Sequence, residues 1–229
     1  MTERSTLVTG ASGALGGAIA ESLLTAGHHV YAVLRPGSHA QPTWAEHARC
    51  TLLPIDVLSV QSWADQLESL APPLTGAVLC AGGWSGGAPH HLADPQIWEQ
   101  MFQTNLQTAQ VSLRMLIPRL HALGGSIVAI GSRSAKRPWE GAGAAAYTAS
   151  KAALVALVSA VAQENLATGV RINALLPSTI DTPNNRQAMP TAEYDKWVST
   201  REIAEVTEFL LSHGASGVTG AAIPVYGRL

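Results

Sequence analysis

The chain has 229 residues, 47% of them hydrophobic, which is enough to bury one sizeable core and suits one large α/β domain over residues 1–229 better than two small ones. Its formal net charge is -2, from 14 Lys and Arg against 16 Asp and Glu, and no basic run stands out, so neither nucleic acid nor an anionic membrane is an expected partner. The longest apolar runs have strand length, no signal peptide fits ahead of Ser5-Thr6-Leu7-Val8, and Cys50 and Cys80 lack metal spacing, so a reduced cytoplasmic protein with two inert thiols is expected.

Along the chain, near-continuous apolar runs alternate with longer helical patterns. Leu7-Val8, Val30 to Leu34, Leu52 to Ile55, Ala77 to Cys80, Ile127 to Ile130, Ile172 to Leu176 and Ala221 to Val225 predict seven strands. Runs that do not alternate suit strands covered by helices on both faces. Leu15, Ala18, Ile19 and Leu23 recur at helical spacing, and Gly27 closes that helix. Pro95 to Leu120 and Ala144 to Ala167 predict two long helices, and the polar stretch Pro183 to Pro190 predicts a loop over a site. Repeated strand–helix units imply a Rossmann-type, doubly wound parallel sheet of about seven strands.

The first strand runs into Thr9-Gly10-Ala11-Ser12-Gly13-Ala14-Leu15-Gly16, and a helix follows at once. Glycine there permits a tight turn, and the helix N-terminus offers free N–H groups and partial positive charge to a pyrophosphate. Gly10, Gly13 and Gly16 are the assigned glycines, with Ser12, Ala14 and Leu15 between them. The second strand ends in Leu34 and Arg35, where a cofactor with a free adenosine ribose usually meets an acid. A planar, multidentate guanidinium suits a 2′-phosphate, so Arg35 favours NADP(H) over NAD(H), which stays possible. After the third strand, Asp56-Val57 either receives the adenine amine or caps the next helix.

Tyr147 and Lys151 stand four residues apart in a helical pattern, which puts both side chains on one face. The chain has three lysines and four tyrosines, so a chance pairing of this kind is rare. A free phenol, with a pKa of about 10, is a poor base at neutral pH, and a nearby ammonium brings it down. The fifth strand ends in Gly131-Ser132-Arg133-Ser134, where a hydroxyl would donate to a developing alkoxide alongside Tyr147.

Thr9-Gly10-Ala11-Ser12, Asp56-Val57, Ala81-Gly82, Asn105, the serine after strand five, Tyr147-Thr148-Ala149-Ser150-Lys151 and Pro177 to Thr182 occur in an order and spacing that resembles the short-chain dehydrogenase/reductase family over essentially the whole chain. The resemblance implies an oxidoreductase acting on a small carbonyl or alcohol. It implies a tetrad of Ser132, Tyr147, Lys151 and Asn105, with the asparagine holding a water that links the lysine to solvent. It also implies cofactor contacts from Ala81, Gly82, Tyr147, Lys151, Pro177, Thr179, Ile180 and Thr182, and a homo-oligomer, tetramer or dimer, packed through the two long helices. Counting the family's usual spacing back from Tyr147 gives Ser134, whereas aligning the strand end gives Ser132, which is preferred. Cys80 stands where the family usually has asparagine, and Ser178 where it has glycine. Gly83-Trp84 and Asp181 to Pro190 are similar to the dihydropteridine reductase branch, an alternative activity; a non-catalytic dinucleotide-binding protein is the alternative of a different class.

Trp84, Trp139 and Trp197 lie at loop edges and either line an apolar substrate pocket or pack in the ordinary way. Met189, Tyr194 and Trp197 fall where the resembling family carries its substrate lid. Trp84, Ser134, Trp139 and Met189 are the expected substrate contacts. His28-His29 and His90-His91 read as surface residues, and no metal is expected.

Overall fold

The structure is a computed structural model that describes residues 4–40, 42–68, 70–122 and 124–229. In chain order the elements are β1 (Ser5–Thr9), α1 (Ala14–Thr25), β2 (His29–Leu34), β3 (Cys50–Pro54), α2 (Val60–Leu67), β4 (Gly76–Leu79), α3 (Gln96–Phe102), α4 (Thr108–Leu120), β5 (Ser126–Ile130), α5 (Ala145–Glu164), β6 (Arg171–Pro177), β7 (Ile180–Asp181), α6 (Pro183–Ala188), β8 (Val198–Ser199), α7 (Thr200–Leu211) and β9 (Ala222–Val225). Seven strands form one sheet in the order β3-β2-β1-β4-β5-β6-β9, and each neighbouring pair is parallel. The expected doubly wound α/β sheet is therefore present, and each of its strands overlaps a predicted run.

Successive strand residues point to opposite faces. Leu7, Tyr31 and Val33 pack with Leu67 of α2, Leu116 of α4 and Leu154 and Val158 of α5. Val8, Val30 and Ala32 pack with Ile19 and Leu23 of α1 and Ile203 and Leu210 of α7. Both faces are covered, which is why the strands read as unbroken apolar runs. The sequence order reverses between β1 and β4, and a crevice at that switch point is where such sheets take their ligands.

Four expectations need correction. Pro95 to Leu120 is not one regular helix: a wide π turn, Gln103–Gln107, joins α3 to α4 and contains Asn105. Pro183 to Pro190 is not a plain loop. Thr182 accepts a hydrogen bond from the Asn185 amide at 3.2 Å, and Pro183 takes the first helical position, so α6 forms there. Apolar runs are not all of strand length: α5 has 20 residues with mean hydropathy 1.5, long and apolar enough to cross a membrane. Here it lies against the sheet, with Leu154, Val158 and Ala162 in the core. Finally, His28 is not a surface residue. It is 3% exposed, its Nδ1 is 2.9 Å from Thr6 Oγ1, and burial and Arg4 bring its pKa down to about 4. A base at that sheet edge fits only because it stays neutral.

Candidate active site

The glycine turn is built by close backbone approach. A Cβ on Gly10 would come within 2.9 Å of the Ala81 amide nitrogen, and Gly10 itself has φ +65°. A Cβ on Gly16 would come within 2.8 Å of the Gly10 carbonyl carbon, so α1 sits directly on the turn. Thr9 Oγ1 accepts from the Ala81 amide at 3.1 Å, tying the end of β1 to the segment after β4. Gly13 stands at the N-cap without a side-chain cap, and the first turn of α1 holds no acid. Its amides and partial positive charge therefore open onto a cleft of about 1060 Å³. This turn fits the pyrophosphate of a dinucleotide.

Gly10, Ser12, Gly13, Leu15 and Gly16 line that cleft, as do Arg35, Asp56, Val57, Ala81 and Gly82, all expected from the sequence. Ala14 opens α1 but is not among the lining residues. Pro36, Gly37 and Ser38 also line it and were not foreseen. Gly37 has φ +76°, and the Ser38 amide donates to the Arg35 carbonyl at 2.9 Å, so the four residues form a tight turn at the end of β2. The Pro-Gly pair was the available signal. Asp56 does not cap α2. That helix is capped by Ser59, which accepts from the Ser62 amide, while Asp56 Oδ1 accepts from the Leu58 amide at 3.0 Å.

At the C-terminal end of β5, Ser132 is 9% exposed and Lys151 6% exposed; Asn105 is fully buried, and Tyr147 is partly exposed. Lys151 Nζ donates to the Ile130 carbonyl at 2.7 Å. Burial lowers its pKa to about 8, against a smaller opposing pull from Cys80. Burial pushes the Cys80 thiol up to about 12, which agrees with an inert thiol. Burial likewise pushes the Tyr147 phenol up, and a hydrogen bond with Ser132 pulls it partly back. The phenol expected to be lowered is thus raised in the protein alone.

Asn105 Oδ1 accepts from the Gly83 amide at 2.9 Å, and Nδ2 donates to Ser150 Oγ at 3.1 Å. Ser150 Oγ in turn donates to the Tyr147 carbonyl at 2.8 Å. The amide of Asn105 is thereby committed to holding the β4 loop and α5 together. Asn105 lies in the π turn, so the bend in the helix and the expected site residue coincide. Ser150 lay inside the motif yet was given no role; its partner is 45 residues away, a separation no local pattern reports.

The remaining expected residues are dispersed. Pro177 ends β6, Ile180 pairs in the small parallel sheet β7-β8, and the Thr179 carbonyl accepts from the Val198 amide at 3.1 Å. Thr182 caps α6. Trp84 and Trp139 are 65% and 73% exposed, and Met189 39%, so each is open to solvent rather than packed. Trp197 is instead buried, with its ring edge-on to Tyr194. Ser134 Oγ lies 3.0 Å from Ser132 Oγ. Among the described residues no cluster of His, Cys, Asp or Glu is arranged to hold a metal ion.

Residues 4–193 match the short chain dehydrogenase family model. A 3-oxoacyl-(acyl-carrier-protein) reductase FabG from Pseudomonas aeruginosa is 32% identical, over 97% of this chain and 96% of that protein. A dihydropteridine reductase from Dictyostelium discoideum is 29% identical, over 87% of this chain and 84% of that protein. A crystal structure of a short chain dehydrogenase/reductase family oxidoreductase from Burkholderia thailandensis superposes with a TM-score of 0.87 at 28% identity, covering 99% of this chain and 92% of that one. The chain therefore belongs to the short-chain dehydrogenase/reductase family and is an oxidoreductase that works with a nicotinamide dinucleotide.

Proposed function

We propose that this enzyme is an NADP(H)-preferring reductase or dehydrogenase of small carbonyl or alcohol substrates, acting as one cofactor-binding and catalytic domain in the cytoplasm. The observation that carries the cofactor preference is the Arg35-Pro36-Gly37-Ser38 turn. It places Arg35 in the lining of the cleft, where Asp56 is the one carboxylate among the described residues. Among the described residues, no carboxylate pairs with the exposed Arg35 side chain, so its charge is available to a 2′-phosphate.

When bound, the reduced cofactor supplies a hydride equivalent to the substrate's carbonyl carbon. The glycine turn and the N-terminus of α1 would hold its pyrophosphate. Lys151 would orient its nicotinamide ribose. Negative charge that grows on the substrate oxygen is met by two donors already in place, Ser132 and Tyr147. Tyr147 gives up its proton, and the buried Lys151 ammonium beside it favours the phenolate left behind. Asn105 keeps Tyr147 and Lys151 in register through Ser150. Trp84, Trp139 and Met189 supply exposed apolar surface for the substrate. The two relatives named above carry different substrates in their names, so the reading stops at the carbonyl class.

Isothermal calorimetry of the parent and Arg35→Ala with NADPH and NADH tests this reading. NADPH binds more tightly to the parent, and Arg35→Ala weakens it by roughly 1–3 kcal/mol while barely altering NADH. Equal losses for the two cofactors, or an NADH preference in the parent, contradict it.

A further inference from the structure

Ser132 and Ser134 meet in a way the tetrad alone does not require. Ser132, two residues beyond the end of β5, has extended backbone, and a 3₁₀ turn, Arg133–Ala135, starts on it. Within that turn the Ser134 amide donates to Ser132 Oγ at 3.3 Å, and the two hydroxyl oxygens lie 3.0 Å apart. The turn is braced from outside. Glu140 pairs with Arg133 at 2.8 Å and with Arg137 at 3.2 Å, and both guanidinium groups lie over the Tyr226 ring, 5.9 and 5.1 Å from its centre. Ser134 is therefore a fixed neighbour of Ser132.

A hydroxyl has one proton to donate and two lone pairs that accept. If Ser132 gave its proton to Ser134, none would remain for a substrate oxygen. If Ser134 donates instead, its N–H and O–H together fill both acceptor positions on Ser132 Oγ. The one Ser132 proton then has to point away from the turn, and accepting two bonds makes it a stronger donor. Ser132 lowers the pKa of the Tyr147 phenol against the larger upward pull of burial, which agrees with a proton aimed at Tyr147.

We infer that Ser134 is a positioning residue that occupies the acceptor side of the Ser132 hydroxyl and aims its proton at the oxygen it shares with Tyr147. This rests on the catalytic reading given above for Ser132 and Tyr147. It assigns the two serines different work: Ser132 touches the reacting oxygen, and Ser134 acts through Ser132.

The test is the titration of Tyr147 in protein labelled with 13C at the tyrosine ζ carbon. The chain has four tyrosines, and Tyr147→Phe identifies the signal. Ser132→Ala raises the Tyr147 midpoint by roughly 0.5–1 pH unit, the loss of one neutral hydrogen bond. Ser134→Ala raises it by a smaller, resolved amount, and Ser134→Thr, which keeps a hydroxyl, restores the parental value. In the Ser132→Ala background, Ser134→Ala adds nothing, because the group it acts through is gone. The shift of the same carbon at neutral pH gives a second measurement if alkaline unfolding comes first. A parental midpoint and neutral shift in Ser134→Ala, or a full additional change in the double variant, overturns the role of Ser134. The titration needs no substrate, so it is separate from turnover of Tyr147→Phe, whose persistence would overturn the underlying reading instead.

Discussion

Gly16→Ala places a methyl group where the fold has no room for it. A Cβ at this position would lie 2.8 Å from the Gly10 carbonyl carbon, closer still to its oxygen, and 3.2 Å from the Ala11 Cα. Ordinary contact between such atoms starts at about 3.5 Å, so the overlap is several tenths of an ångström against backbone on two residues. No rotamer relieves it. Either α1 moves off the turn or the turn deforms, at a cost of roughly 1–3 kcal/mol. For a chain of this length that corresponds to a fall in Tm of roughly 2–4 °C per kcal/mol. Moving the same amides also spoils their aim at a pyrophosphate, so NADPH affinity should fall by at least about 10-fold. Gly17→Ala is the control. Its Cβ would meet the Ala11 carbonyl oxygen at 3.3 Å and otherwise only the Trp44 side chain, and alanine is the better helix former. Calorimetry and thermal melts of both variants decide the matter. Parental NADPH affinity and parental Tm in Gly16→Ala would refute the reasoning.

Acid should loosen the fold through His28. Its pKa is about 4 in the folded protein against 6.5 when free, so the unfolded chain binds more protons between those values. Stability is intact above about pH 6.5 and is lost as pH falls toward 4, by on the order of 2–3 kcal/mol, and urea midpoints across that range should show His28→Gln flattening the dependence. Light scattering at micromolar concentration should give a multiple of the 23.9 kDa chain mass, a dimer or tetramer; a monomer mass counts against the association expected of α4 and α5.

The sheet was legible because β1, β2, β4, β5 and β6 are buried on both faces and so announce themselves as short apolar runs, while the partly exposed edge strands β3 and β9 keep an apolar sequence. The glycine turn and the Tyr147–Lys151 pair were legible because their chemistry is local, set by spacing within one turn or one helix. Most of the rest depends on partners far along the chain. His28 looks like one of two polar residues ahead of a strand, yet Thr6 of the neighbouring strand accommodates it inside. Asn105 shows its place in a motif but not that its amide is spent on Gly83 and Ser150. Thr182-Pro183 is a local helix-start signal that the polar composition of the following residues masked. Tyr147 is raised rather than lowered because desolvation, a property of the assembled core that spacing along one helix does not report, is the largest influence on its phenol.

The central claim is that Tyr147 supplies the proton in carbonyl reduction. Tyr147→Phe removes the hydroxyl and little else, so the most direct measurement compares turnover of this variant with that of the parent, on a carbonyl compound the parent reduces, alongside NADPH affinity by calorimetry. The account predicts a fall in kcat of at least about 10²-fold with NADPH affinity nearly unchanged. Parental turnover in Tyr147→Phe would contradict it.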